Sequence, residues 1–187
     1  MVNVLIFLAV GFEEIEATTI IDILRRCGID VTIVGLFTNE VEGAHGIKII
    51  PDKSIEDIDV KDFDAIVLPG GSPGYQNLRK DQRVINIIKE AYDHNKLIGA
   101  ICAAPSVLSD AGILEGRNCT IYPGMETEIR KGKGNPMEDI VVVDKNIVTS
   151  RGPATAIPFS LKLGELLVGK EIAEKVRRAT LADIVLK

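Results

Sequence analysis

Lys96-Leu97-Ile98-Gly99-Ala100-Ile101-Cys102-Ala103-Ala104-Pro105 decides the reading of this chain. An apolar run of strand character ends at a thiol, and small residues and a proline follow at once. Proline is favoured in the first turn of a helix, where its missing N–H costs nothing. The segment therefore reads as strand, sharp turn, helix, with the sulfur at the turn and a third helix of the chain beginning at Ala103. Free N–H groups and the positive dipole end at a helix start favour a thiolate. Packing alone also accounts for a buried Cys in a small gap. What surrounds the turn has to separate the two readings.

Working outward, five more apolar runs have strand length: Asn3–Val10, Val31–Leu36, Asp64–Pro69, Ile140–Val143 and Asn146–Ser150. Helical periods lie between them. Ile15, Thr19, Ile20, Ile23 and Leu24 mark one face, and Cys27-Gly28 ends that helix. Val84, Ile87, Ile88, Ala91 and Tyr92 mark a second, closing near His94-Asn95. Further helices cover Thr155 to Leu167 and Lys170 to Ala179. Alternation of strand and helix predicts an α/β fold, a mostly parallel sheet with helices on both faces. Val41–Ile50, with Gly43 and Gly46, reads as an inserted hairpin. Asp144-Lys145-Asn146 reads as a tight turn joining an antiparallel edge pair. No repeat or linker breaks the pattern, so residues 1–187 read as one domain.

Composition narrows the function. The 187 residues are 46% hydrophobic and 26% charged, with no Trp and 4% aromatics, so Ile, Val, Leu and Ala must build the core. A net charge of −5 argues against nucleic acid as the main partner, and Arg130-Lys131-Gly132-Lys133 is too short a basic run to reverse that. No stretch approaches the ~18 apolar residues of a membrane span. Val4–Val10 lacks a positive flank and runs into Glu13, Glu14 and Glu16, so it reads as a first strand rather than a leader. Three cysteines make no disulfide framework, which fits a reducing, cytoplasmic setting.

Ligands of open parallel sheets bind at the carboxyl ends of strands. Three features fall there: Glu13-Glu14-Ile15-Glu16 after the first strand, Gly70-Gly71 after the third, and Cys102. Glycines let backbone turn and approach a ligand closely, so N–H groups near Gly71 and that of Ala103 are candidate oxyanion donors. A plain turn would use glycines equally well. One of the three glutamates could point at the sulfur, stay protonated beside a thiolate and move protons. The others are explained by helix-start electrostatics, and the residues alone do not choose among them. Ser150-Arg151-Gly152-Pro153-Ala154-Thr155 closes the last strand and would wall the site, with Arg151 adding positive potential. Cys27, at the end of a helix, and Cys119, near the start of a short strand, read as packing residues. His45 and His94 read as surface residues, and no metal-ligand spacing is present.

Glu13–Glu16, Leu68-Pro69-Gly70-Gly71, Ala100–Pro105 and Ser150–Thr155, in this order and spacing, resemble the ThiJ/PfpI superfamily, in the branch of the parkinsonism-associated deglycase. The resemblance runs nearly end to end. It implies a flavodoxin-like three-layer sandwich, a homodimer, a nucleophile elbow at Cys102, Glu16 as the carboxyl partner, and Gly71 and Ala103 as backbone donors. Gly70, Tyr122, Arg151 and Pro153 are then expected at the site wall, with no metal or organic cofactor. Peptidase-like members carry His directly after the nucleophile, where this chain has Ala103, which argues against a peptidase or amidase. The deglycase branch often has His before Pro123, where this chain has Tyr122. A phenol is a poorer proton shuttle near neutral pH, so proton transfer falls to Glu16 and water. The expected activity is a cysteine-dependent glyoxalase or deglycase acting on small 2-oxoaldehydes, or on their early adducts with protein side chains. The alternative is an oxidative-stress sensor or redox-regulated chaperone working through a sulfinate at Cys102.

Overall fold

The computed structural model describes residues 1–37 and 40–186. Its centre is a seven-stranded sheet. In chain order the strands are β1 (Asn3–Leu8), β2 (Asp30–Gly35), β5 (Lys53–Ser54), β6 (Ala65–Leu68), β7 (Leu97–Ile101), β10 (Val141–Asp144) and β11 (Ile147–Ser150). They lie side by side as β10-β11-β7-β6-β1-β2-β5. Every pairing is parallel except the β10–β11 edge, where Val141 faces Ser150 across a tight turn. Each expected strand is present with ends moved by a residue or two. β5 was not expected, and two residues carry no periodicity to read.

Alternate side chains of each strand enter opposite cores, as the period of two requires. On one face Leu5, Phe7, Ile66, Leu68, Ile98 and Ala100 pack with α3 (Gln82–Asp93), α4 (Pro105–Asp110) and α5 (Glu126–Lys131). On the other, Val4, Ile6, Leu8, Val67 and Ile101 pack with α1 (Glu14–Arg26), α6 (Ala156–Val168) and α7 (Lys170–Ala179). These layers make the flavodoxin-like sandwich. Phe7, Phe12 and Phe159 are wholly enclosed, each contributing roughly 1.5–3 kcal/mol by leaving water. Cys27, capping α1, and Cys119 belong to these cores, as read from sequence.

Three short helices were not foreseen, α2 (Gly74–Lys80), α5 and α8 (Ala182–Val185). The short strand expected at Cys119 is β8 (Asn118–Cys119), and its partner β9 (Asn135–Pro136) was unforeseen. The hairpin is real: β3 (Val41–Glu42) pairs antiparallel with β4 (Lys48–Ile49). It docks on the segment entering α1. Gly11 N–H donates to the Glu42 carbonyl at 2.8 Å, and Ala44 N–H donates to the Phe12 carbonyl at 2.8 Å. The third helix begins at Pro105, not Ala103. Residues 102–104 form a turn between β7 and α4, and proline occupies the first helical position as its fixed φ favours. Among the described residues no helix is long and apolar enough to cross a membrane.

Candidate functional site

The β7 ladder delivers Cys102 to the carboxyl edge of the sheet. Ile101 lies in register with Ser150 of β11. One residue further, Cys102 N–H donates to the Ser150 carbonyl at 3.0 Å, and the Cys102 carbonyl accepts Tyr122 N–H at 2.8 Å. Between these two bonds Cys102 has φ +63°, in the left-handed region. A non-glycine residue held there costs about 1–2 kcal/mol. The elbow read from sequence is therefore a strained one, with its backbone polar groups satisfied on both sides.

Glu16 arrives from the first turn of α1 and is 0% exposed. Its Oε2 accepts Gly70 N–H at 2.7 Å. Its Oε1 is buried without a regular hydrogen-bond partner, and the carboxyl faces the Cys102 sulfur. Burial pushes the Glu16 carboxyl up to about 7, against the opposing pull of the Gly70 N–H and the Cys102 contact, with the Glu13 charge adding to the rise. Burial and then the Glu16 charge push the Cys102 thiol up to about 12, while N–H groups of Ala103 and Gly71 pull it down. The expectation that a helix start holds this sulfur anionic is corrected on this point. α4 begins three residues later, and enclosure outweighs the two N–H donors. Taken as a pair, the two groups share one negative charge above neutral pH and resist a second until strongly alkaline conditions. One proton then sits between carboxyl and sulfur.

The glutamate trio divides its labour. Glu13 caps α1, accepting Ile15 N–H at 3.3 Å. Glu14 anchors the hairpin: its Oε1 accepts His45 N–H at 2.6 Å, and its Oε2 lies 2.9 Å from His45 Nδ1. Only Glu16 reaches the sulfur. His45, read as a plain surface residue, is exposed yet held by Glu14, with Glu13 at 3.7 Å. The Glu13-Glu14-His45 grouping has the atoms of a cation site, but hairpin docking accounts for Glu14 and helix capping for Glu13.

Gly70 and Gly71 serve different ends. A Cβ on Gly70 would stand 2.7 Å from Cys102 Cβ, 3.0 Å from Glu16 Oε2 and 3.2 Å from Ala103 N, so glycine there lets thiol and carboxyl meet. Gly71 has φ +94°, and a Cβ would stand 2.2 Å from Glu13 N. That conformation aims its N–H at the sulfur beside that of Ala103.

Cys102 opens onto a pocket of roughly 300 Å³ lined by Gly71, Ser72, Tyr75, Ala103, Tyr122 and Met125. Tyr122 is thus on the wall. Gly70, Arg151 and Pro153, expected there too, are not among the lining residues. Gly70 lies beneath, bonded to Glu16. Arg151 turns its guanidinium to the Glu138 carbonyl at 2.7 Å, and its turn stands behind Tyr122, whose ring a Cβ on Gly152 would meet at 3.5 Å. Ser72, Tyr75 and Met125 were not singled out from sequence. Tyr75 follows the glycine loop at the start of α2, and a helix opening straight after Gly70-Gly71 was the available signal.

A parallel α/β sandwich with a strained cysteine at a strand end, facing an enclosed carboxyl, defines a cysteine-elbow protein. The chain belongs to the DJ-1/PfpI family, which it matches over residues 2–166. It is 38% identical to protein dj-1beta of Drosophila melanogaster across 96% of each chain. The crystal structure of Drosophila melanogaster DJ-1beta superposes with a TM-score of 0.92, covering 96% of this chain and 97% of that one at 38% identity. A Caenorhabditis elegans relative named glutathione-independent glyoxalase DJR-1.2 is 38% identical over 85% of this chain and 84% of its own.

Proposed function

We propose that this protein is a cysteine-dependent glyoxalase or deglycase, converting methylglyoxal-type 2-oxoaldehydes, free or as early adducts, to 2-hydroxy acids. One observation carries the reading. An enclosed carboxyl that keeps its proton up to about pH 7 faces a half-buried thiol at a strained elbow, and that thiol opens on a small pocket. The name of the Caenorhabditis elegans relative supports the substrate class.

The chemistry follows from proton placement. From the singly charged pair, with its one proton on Glu16, the Cys102 thiolate attacks the aldehyde carbon, forming a C–S bond, and the carbonyl pair moves to oxygen. Gly71 and Ala103 N–H groups are the donors at hand for that alkoxide, and the Glu16 proton neutralises it as a hemithioacetal. Glu16, now a carboxylate, removes the proton on the former aldehyde carbon and returns it to the neighbouring carbon, while the hydroxyl proton passes from the first oxygen to the second. The aldehyde carbon is oxidised and the ketone carbon reduced within one molecule, leaving a 2-hydroxyacyl thioester. Water then cleaves the C–S bond, releases the acid and restores the thiol.

Incubation with methylglyoxal and measurement of lactate tests this. Turnover by wild type, with loss in Cys102→Ser and Glu16→Gln, is the expected result. Equal rates in all three would overturn the mechanism. The proposal also carries a homodimer and a cytoplasmic setting, which light scattering and localisation of a tagged chain check.

A further inference from the structure

We propose that Arg79 is a positioning residue that sets the width of the Cys102 pocket by clamping its three surrounding helices from behind. The idea rests on the pocket being the functional one described above, but its first readout does not need turnover. Each helix starts at the pocket. α2 brings Tyr75 in its first turn, α4 follows Cys102-Ala103-Ala104, and α5 opens directly after Met125. Away from the pocket, one guanidinium joins all three. Arg79, in the last turn of α2, donates through Nε to Asp110 Oδ2 at 2.5 Å and through Nη2 to Asp110 Oδ1 at 2.8 Å. Asp110 is the final residue of α4. The same Nη2 lies 3.0 Å from Glu128 Oε2 of α5, close enough to pair though off the regular hydrogen-bonding direction.

This differs from an ordinary surface ion pair. The fork is bidentate, and the Arg79 and Glu128 side chains are 25% and 15% exposed. A planar fork fixes direction as well as distance. Two carboxylates on separate helices converge on Arg79; Glu128 also pairs through Oε1 with Lys131 of its own helix, but Arg79 is the cation between the helices, and its loss leaves the Asp110 carboxylate facing Glu128 with no cation between them. Their repulsion would spread α4 from α5, and with them Ala103 from Met125. The pocket lining carries no charged side chain, so the pocket selects by shape, and its width is what a clamp would govern.

The test compares wild type with Arg79→Ala and Arg79→Ala/Asp110→Asn. The first readout is the rate of Cys102 alkylation by iodoacetamide and by the bulkier N-phenylmaleimide. The second is kcat and KM with methylglyoxal. In Arg79→Ala the bulky-to-small alkylation ratio is expected to change by about threefold or more, and KM to rise by a similar factor with kcat within about twofold. Removing the Asp110 charge as well should return both toward wild type. An unchanged ratio in a folded Arg79→Ala overturns the clamp, as does an equal fall in both alkylation rates with a loss of kcat. If Arg79→Ala does not fold, Arg79→Lys keeps the charge without the fork. An altered ratio there supports the clamp and an unaltered one ends it. If wild type shows no turnover, the proposed reaction fails while the alkylation ratio still decides the role of Arg79.

Discussion

Glu16 and Cys102 flank a space that only a hydrogen atom can occupy. A Cβ on the intervening Gly70 would lie 2.7 Å from the Cys102 Cβ and 3.0 Å from Glu16 Oε2. Gly70→Ala should therefore push thiol and carboxyl apart. Turnover is expected to fall about 100-fold, with about 1–3 kcal/mol lost in denaturant unfolding as the elbow shifts. Wild-type kcat in this variant would mean that the two groups do not act together.

The same contact sets a titration signature. The Glu16–Cys102 pair should release protons in two separated steps, near 7 and near 12. Glu16→Gln removes one titrating group and the charge that lifts the thiol. The step near 7 should vanish and the remaining thiol step should move down from 12. Thiolate absorbance against pH, with Cys102→Ser as blank, reads the upper step, and the Glu16 carboxyl carbon resonance followed by NMR reads the lower. Two steps persisting in Glu16→Gln would contradict the pairing.

Stability should carry the mark of Glu16 as well. Its carboxyl sits at about 7 in the fold against an ordinary 4.5, so between those values the native chain binds a proton that the unfolded chain has released. Its contribution is full below about pH 4.5 and is lost as pH rises through about 7, an order of ~3 kcal/mol. Urea midpoints measured from pH 5 to 8 should fall across this window, and Glu16→Gln should flatten the fall.

The hairpin offers an independent check. A Cβ on Gly43 would meet Glu14 Oε1 at 2.4 Å, and that carboxylate is already fixed by His45 and Ile47 N–H groups. Gly43→Ala should lift the hairpin, cost about 1–3 kcal/mol and speed hydrogen exchange at Ala44, whose N–H bonds Phe12. His45 is raised by Glu14, so its share of docking is full below about 6.5 and fades as pH climbs through its folded value. His45→Gln should remove that part of the pH dependence of exchange.

Much of this architecture was legible in the chain. Apolar runs such as Val4–Leu8 and Ile98–Ile101 must be buried on both faces, which a parallel sheet between helices allows. The Cys102 turn was legible because strand pattern, thiol and helix-starting proline abut. Short elements were not: α2, α5, β5 and β9 hold too few residues for a period to register. Pocket residues Tyr75 and Met125 escaped for the same reason, since each enters from such a short element. Arg151 was misplaced because adjacency in sequence to the elbow does not say where a long side chain turns, and the Glu138 carbonyl takes it. The thiol was expected to be acidified because a helix start is visible in sequence, whereas enclosure by Glu16, Gly70 and Gly71 depends on segments far apart along the chain. The separate duties of Glu13, Glu14 and Glu16 likewise needed the hairpin and the glycine loop in place.

The left-handed turn at Cys102 has a consequence for evolution of the chain as much as for chemistry. A folding-optimised sequence would place glycine there, since glycine alone adopts that twist without crowding its own side chain. Cys102→Gly should thus melt later than wild type while losing all reactivity toward alkylating agents. A gain in melting temperature on deleting the sulfur would identify the site as one where selection for reactivity has overridden selection for robustness.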